Sequence, residues 1–174
     1  FIALKSNKEV EIDYNAIKKA FTIGHIRYFD QDPRFGIITL SEIASRALSP
    51  AVNDPGTAIQ IIGSHIRLFL LWNTVKKTTP IKKDVFNRIA VPVIEISDLF
   101  EDAFRPIARD GAANIEVMIR LQKAFKILSN SANRNIQKSC YYHSNQALER
   151  AKIEMKLEAD LLLLQETCLF VQKS

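Results

Sequence analysis

The stretch Arg46-Ala47-Leu48-Ser49-Pro50-Ala51-Val52-Asn53-Asp54-Pro55-Gly56-Thr57-Ala58 decides the reading of the fold. It is a polar corner between two apolar helical patterns. Pro50 stops the first, because a residue before proline is pushed out of the helical region. Asn53-Asp54-Pro55 starts the second. Aspartate accepts orphan N–H groups at a helix start, and proline at the first helical position gives up no useful donor. The same device stands upstream at Asp30-Gln31-Asp32-Pro33. A helix is therefore expected from Pro33 to about Leu48, burying Ile37, Leu40, Ala44 and Leu48.

The helix after the corner is expected to run to about Val75. Ala58, Ile62, Ile66 and Phe69 lie on one side and Ile61, Leu68, Trp72 and Val75 on another. A helix apolar almost all round is buried on most faces, so this one is expected at the centre of a bundle. Its polar residues Gln60, Ser64, His65 and Arg67 then need partners or the surface.

Working outward, Asp13 is expected to cap a helix from Tyr14 to about Tyr28. Val10-Glu11-Ile12 suits a short edge strand. Downstream, Lys76 to Asn87 is a basic connection, and Arg88 to Ile96 is rich in β-branched residues. That segment is expected to be extended, held to an edge by Pro92 and pairing with Val10–Ile12. Ser97 is expected to cap a helix from Asp98 to Asp110, kinked at Pro106. Asn114 caps the next, with Met118, Leu121, Phe125 and Leu128 as its core stripe. After a polar linker, Ser129 to Asn135, come a short helix around Ile136 to Tyr142 and a long one from about Asn145 to Val171. In the long one Ile153, Leu157, Leu161, Leu164, Cys168 and Val171 step by four and three, a packing seam. The fold class is mainly α: a bundle of about six or seven helices with a minor extended element near Ile89 to Ile96.

The 174 residues suit one soluble helical domain. Composition is that of an ordered chain, 47% hydrophobic and 25% charged. The net charge of +5 fits nucleic acid, an anionic membrane surface or simple solubility, the last being commonest. Nucleic acid is not expected as a partner, because basic residues do not interleave with aromatic ones. Cys140 and Cys168 show no metal or redox spacing. No run reaches the roughly 18 apolar residues of a membrane span. Phe1-Ile2-Ala3-Leu4, without Met, reads as part of something longer.

Three pieces carry a resemblance: Gly24-His25-Ile26-Arg27, then Gln31-Asp32-Pro33-Arg34-Phe35-Gly36, then Glu42 through Ala58. In order and spacing they resemble a family of bacterial predicted membrane proteins known as domain of unknown function 2254. Weaker similarity continues through Ala103 to Arg109, where Pro106 departs from the pattern, and little remains over the last 45 residues. The resemblance implies a soluble C-terminal domain after membrane-spanning helices, in an inner-membrane protein, and the positive charge favours the cytoplasmic side for it. It implies no catalytic residues and no cofactor.

The chemistry of the corner has two readings. In one, Arg27 and Arg46 clamp a phosphate or carboxylate that also faces the helix starts at Pro33 and Pro55, with Asp32, Ser49, Asn53, Asp54 and Thr57 around it. In the other, Asp32 and Asp54 fill those starts themselves, Arg46 pairs with one of them, and Asn53 holds the turn; cap preferences favour this one. Asp30, Asp32 and Asp54 are weighed as a metal cluster and again suit caps better. Lys76, Lys77, Lys82 and Lys83 suit a solvated loop, or contact with anionic lipid. The expected function is a non-catalytic regulatory or interaction domain whose partner is its own membrane region. The alternatives are a receptor or enzyme using the Arg46–Asp54 corner for an anion or metal, and a self-association module, a homo-oligomer through the last helix.

Overall fold

The computed structural model describes residues 3–4, 13–22, 24–78, 89–90 and 93–168, with backbone alone for 3–4, 75–78 and 89–90. Among them seven helices form: α1 (Tyr14–Lys19), α2 (Pro33–Ala47), α3 (Pro55–Thr78), α4 (Ile96–Asp110), α5 (Ile115–Ser129), α6 (Arg134–Glu154) and α7 (Glu158–Thr167). The fold is a mainly α bundle with a minor extended pair. In that pair β1 (Ala3–Leu4) meets β2 (Ile89–Ala90) antiparallel, Ala3 opposite Ala90.

Five helices close a ring. α2 packs on α3 and α4, α4 on α6, α6 on α5, and α5 back on α3; α7 lies against α5 and α6. Inside the ring α4 turns in Ile96, Leu99, Phe100, Ala103, Phe104 and Ile107, buried residues that recur at helical spacing. Phe69, Phe100, Phe104 and Phe125 form a continuous aromatic core, with neighbouring centroids 4.4 to 5.6 Å apart. The α5 stripe Met118, Leu121, Phe125 and Leu128 is buried as its spacing requires.

Caps are local chemistry, and most lie where expected. Asp13 accepts N–H groups from Asn15 and Ala16, Asp32 from Phe35, and Asn114 from Val117. Gly111 follows α4 where an added Cβ would stand 2.7 Å from Val117 and 2.9 Å from the Ile107 carbonyl. Only hydrogen fits that close approach to α5.

Several expectations are corrected. α1 ends at Lys19, not near Tyr28: none of its residues is buried, so no tertiary contact carries it toward Gly24. α4 starts at Ile96 behind Glu95, which makes no side-chain cap bond, so Ser97 lies inside the helix. Pro106 stands inside α4, which continues past it to Asp110. The expected short helix at Ile136 and the start of the long one are a single α6. The long helix breaks instead at Met155-Lys156-Leu157, where Met155 and Leu157 are extended. α3 is not the buried centre, since Leu68, Leu70 and Leu71 are exposed. The pairing partner expected for Ile89, Val10–Ile12, lies outside the described residues, as do Lys82, Lys83 and the side chains of Lys76 and Lys77.

Candidate functional site

The corner forms as a tight link between α2 and α3. Asn53 N–H donates to the Ser49 carbonyl at 2.9 Å and Asp54 N–H to the Ala47 carbonyl at 2.8 Å. Asn53 sits at φ 50°, a left-handed conformation that asparagine tolerates better than most side chains. Asp54 Oδ1 then accepts Thr57 N–H at 3.1 Å, and Oδ2 accepts the Thr57 hydroxyl at 2.5 Å. Those two bonds, the hydroxyl first, hold the Asp54 carboxyl below its ordinary pKa. Ser49 Oγ donates to the Arg46 carbonyl at 2.7 Å. The Arg46 side chain is exposed in the last turn of α2, favourably placed for the helix dipole. It pairs with neither Asp32 nor Asp54.

The other predicted residues lie at the far end of α2. Arg27 Nε donates to Asp32 Oδ2 at 2.9 Å, and its guanidinium stands 4.8 Å from the Phe35 ring centroid. That hydrogen bond, more than the Phe35 amide, lowers the Asp32 pKa. α2 has 15 residues. At 1.5 Å of rise per residue its ends are roughly 20 Å apart. The structure thus gathers Arg46, Ser49, Asn53, Asp54 and Thr57 at one end of α2 and Arg27 with Asp32 at the other. Arg27 and Arg46 do not reach one anion. Among the described residues no group of three or more His, Cys, Asp or Glu is placed to hold a metal ion.

Two polar arrangements escaped the sequence because their partners are far apart along the chain. Arg34 Nε donates to Asp102 Oδ2 at 2.7 Å, and Nη2 to Oδ1 at 3.2 Å, a bidentate clamp of α2 on α4. Ser41 Oγ stands 3.2 Å from His65 Nε2 and donates to the Ala103 carbonyl at 3.1 Å, tying α2, α3 and α4 together inside the core. Burial pushes His65 down to a pKa of about 4. Burial likewise raises Cys140 to about 12, which keeps it an inert thiol.

One concave feature is apolar. A groove of about 700 Å³ lies between α2 and α3, lined by Phe29, Ile37, Leu40, Leu68, Phe69, Leu71 and Trp72 among others. Leu71 is 60% exposed on its rim. The signal for this groove was in the sequence as the all-round apolarity of α3. An apolar helix face announces contact with something and does not say what.

Residues 2–127 match the family described as "Predicted membrane protein (DUF2254)". The chain belongs to this family. Uncharacterised proteins of Mycobacterium bovis and of two strains of Mycobacterium tuberculosis are each 58% identical to it over 40 residues, which is 23% of this chain and 8% of theirs. The matched stretch thus spans less than a tenth of those relatives. No solved structure matches. Among the described residues no helix is long and apolar enough to cross a membrane.

Proposed function

We propose that this chain is a non-catalytic interaction domain of a longer membrane protein, docking through the α2–α3 groove onto a helix of that protein's own membrane-spanning part. The observation that carries the reading is the groove itself. Leu68 and Leu71 on its rim, with Leu70 beside them, leave a run of leucine surface open on a helix whose other side is core. Exposed apolar patches of this kind mark interaction surfaces. A groove lined by carbon suits an apolar helix laid along it. The family description supplies a source for such a helix, and the relatives are far longer than the stretch they share with this chain. A cytoplasmic face for the domain is part of the same proposal. The corner residues Arg46, Ser49, Asn53, Asp54 and Thr57, and the Arg27–Asp32 pair, serve in this reading as caps that fix the angle between the groove's two walls. The receptor or enzyme alternative would use them as ligands.

Cysteine accessibility tests the docking. In the full-length protein in its membrane, Leu71→Cys should react with a maleimide at least tenfold more slowly than Ile153→Cys, which stands 79% exposed on α6. Equal rates would contradict it. Turnover of a substrate, abolished by Asp54→Ala in a still-folded protein, would favour the enzyme instead. A second reading, self-association, draws on Ile153, Leu157, Leu162 and Leu163, exposed around the α6–α7 break. It predicts a sedimentation coefficient that rises with concentration and ceases to do so in Leu157→Glu.

A further inference from the structure

A second cavity, of about 120 Å³, opens between α4 and α6, and it shares no lining residue with the apolar groove. Its polar residues are Glu101 and Arg105 from α4, and Tyr142, His143, Gln146 and Arg150 from α6. His143 is only 6% exposed. Its ring contacts Phe100, Phe125 and Tyr142, and it forms no hydrogen bond among the described residues. Arg150 Nε is buried and finds no acceptor among them either. The Arg105 guanidinium reaches Glu101 only at 3.5 Å.

The balance of these groups is incomplete. A buried donor without an acceptor costs free energy, more so on a charged group. The cavity lining carries two guanidinium groups and one carboxylate. Burial first, and the charges of Arg150 and Arg105 next, hold His143 neutral, with a pKa of about 4. The cavity is therefore net positive at neutral pH and short of acceptors. An oxyanion supplies both missing things, negative charge and lone pairs. The donors stand on two helices, Arg105 on α4 and Gln146 and Arg150 on α6. The volume is well below the roughly 300–1,000 Å³ of pockets for drug-sized ligands. It takes a single group, not a nucleotide.

The geometry points to a phosphate-binding site in this cavity, clamped by Arg105 and Arg150 with Gln146 beside them. The site is independent of the docking groove and of the corner between α2 and α3. A free phosphate and the monoester head of a phospholipid present the same chemistry to it.

Isothermal titration of the protein with inorganic phosphate at pH 7, and separately with water-soluble dibutanoyl phosphatidic acid, tests the assignment. Saturable one-to-one binding is expected. Arg150→Gln and Arg105→Gln should each weaken it at least tenfold, since each removes charge-assisted bonds to the anion. Arg105 is mostly exposed, so Arg105→Gln should keep the unfolding midpoint of the phosphate-free protein, which separates lost binding from lost folding. Equal affinity for the two probes assigns a free anion. Affinity tenfold higher for the phosphatidic acid assigns a lipid head group. Absence of binding by both probes, or binding that both variants leave unchanged, overturns the site.

Discussion

His65 has a proton to place, and its neighbours decide where. Ser41 Oγ gives its own proton to the Ala103 carbonyl, so the bond between Ser41 and His65 requires Nε2 to be the donor. Nδ1 is then bare, buried and without a partner among the described residues. The ring stays neutral down to a pKa of about 4, against 6.5 for a free imidazole. His143 behaves alike. Between those values the unfolded chain binds protons that the folded chain refuses. Stability should be level from pH 6.5 to about 8 and fall as pH drops from 6.5 toward 4. Each histidine contributes about 3 kcal/mol to that fall. Urea unfolding at pH 7 and pH 4.5 measures it, and His65→Gln should flatten the dependence by about 2 kcal/mol. A wild-type stability unchanged between the two pH values would contradict the burial of both rings. The sequence marked His65, with Gln60, Ser64 and Arg67, as a polar residue on an apolar helix that needs a partner or the surface. It could not name Ser41 or Ala103, because the pairing depends on how three helices stack.

At the scale of elements, every expected cap but Ser97 was legible and the last helix was not. Asp13, Asp32, Asp54 and Asn114 act within three residues of themselves, so their chemistry is written locally. The step of four and three from Ile153 to Cys168 is local too, and it misled. A straight helix would have carried the whole seam along one line. The chain instead unwinds at Met155-Lys156-Leu157, and α7 lays Leu164 into the core beside α5 while Ile153 and Leu157 face outward. Tertiary packing overrode helix propensity, as it can where no Gly or Pro marks the break. The two states of the seam separate cleanly in mutants. Leu164→Ala should cost 2–5 kcal/mol, in the range of core truncations, and Ile153→Ala less than about 0.5 kcal/mol. Equal costs in denaturant titrations would restore the continuous seam. Asp32→Ala should cost about 1 kcal/mol through its cap, and Arg27→Ala less, because an exposed ion pair contributes little.

At the scale of the molecule, the ring of α2, α3, α5, α6 and α4 encloses its aromatic core and leaves one wall open. The all-round apolarity of α3 was visible in the sequence, and so was the family context carried by Gly24 to Ala58. Which face of α3 the domain leaves uncovered was not visible, because that depends on how the other helices stack against it. The two arginines singled out for one anion fell at opposite ends of α2 for a related reason: cap motifs repeat at helix starts, and helix starts are a helix length apart. The α2–α3 groove is the docking surface proposed for this domain, and photo-crosslinking reads its occupant. A benzophenone amino acid replacing Leu71 in the full-length protein, activated in its membrane and mapped by mass spectrometry, should join α3 to a membrane-spanning segment of the same protein. A crosslink confined to a second copy of this domain, or no crosslink at all, would contradict the account.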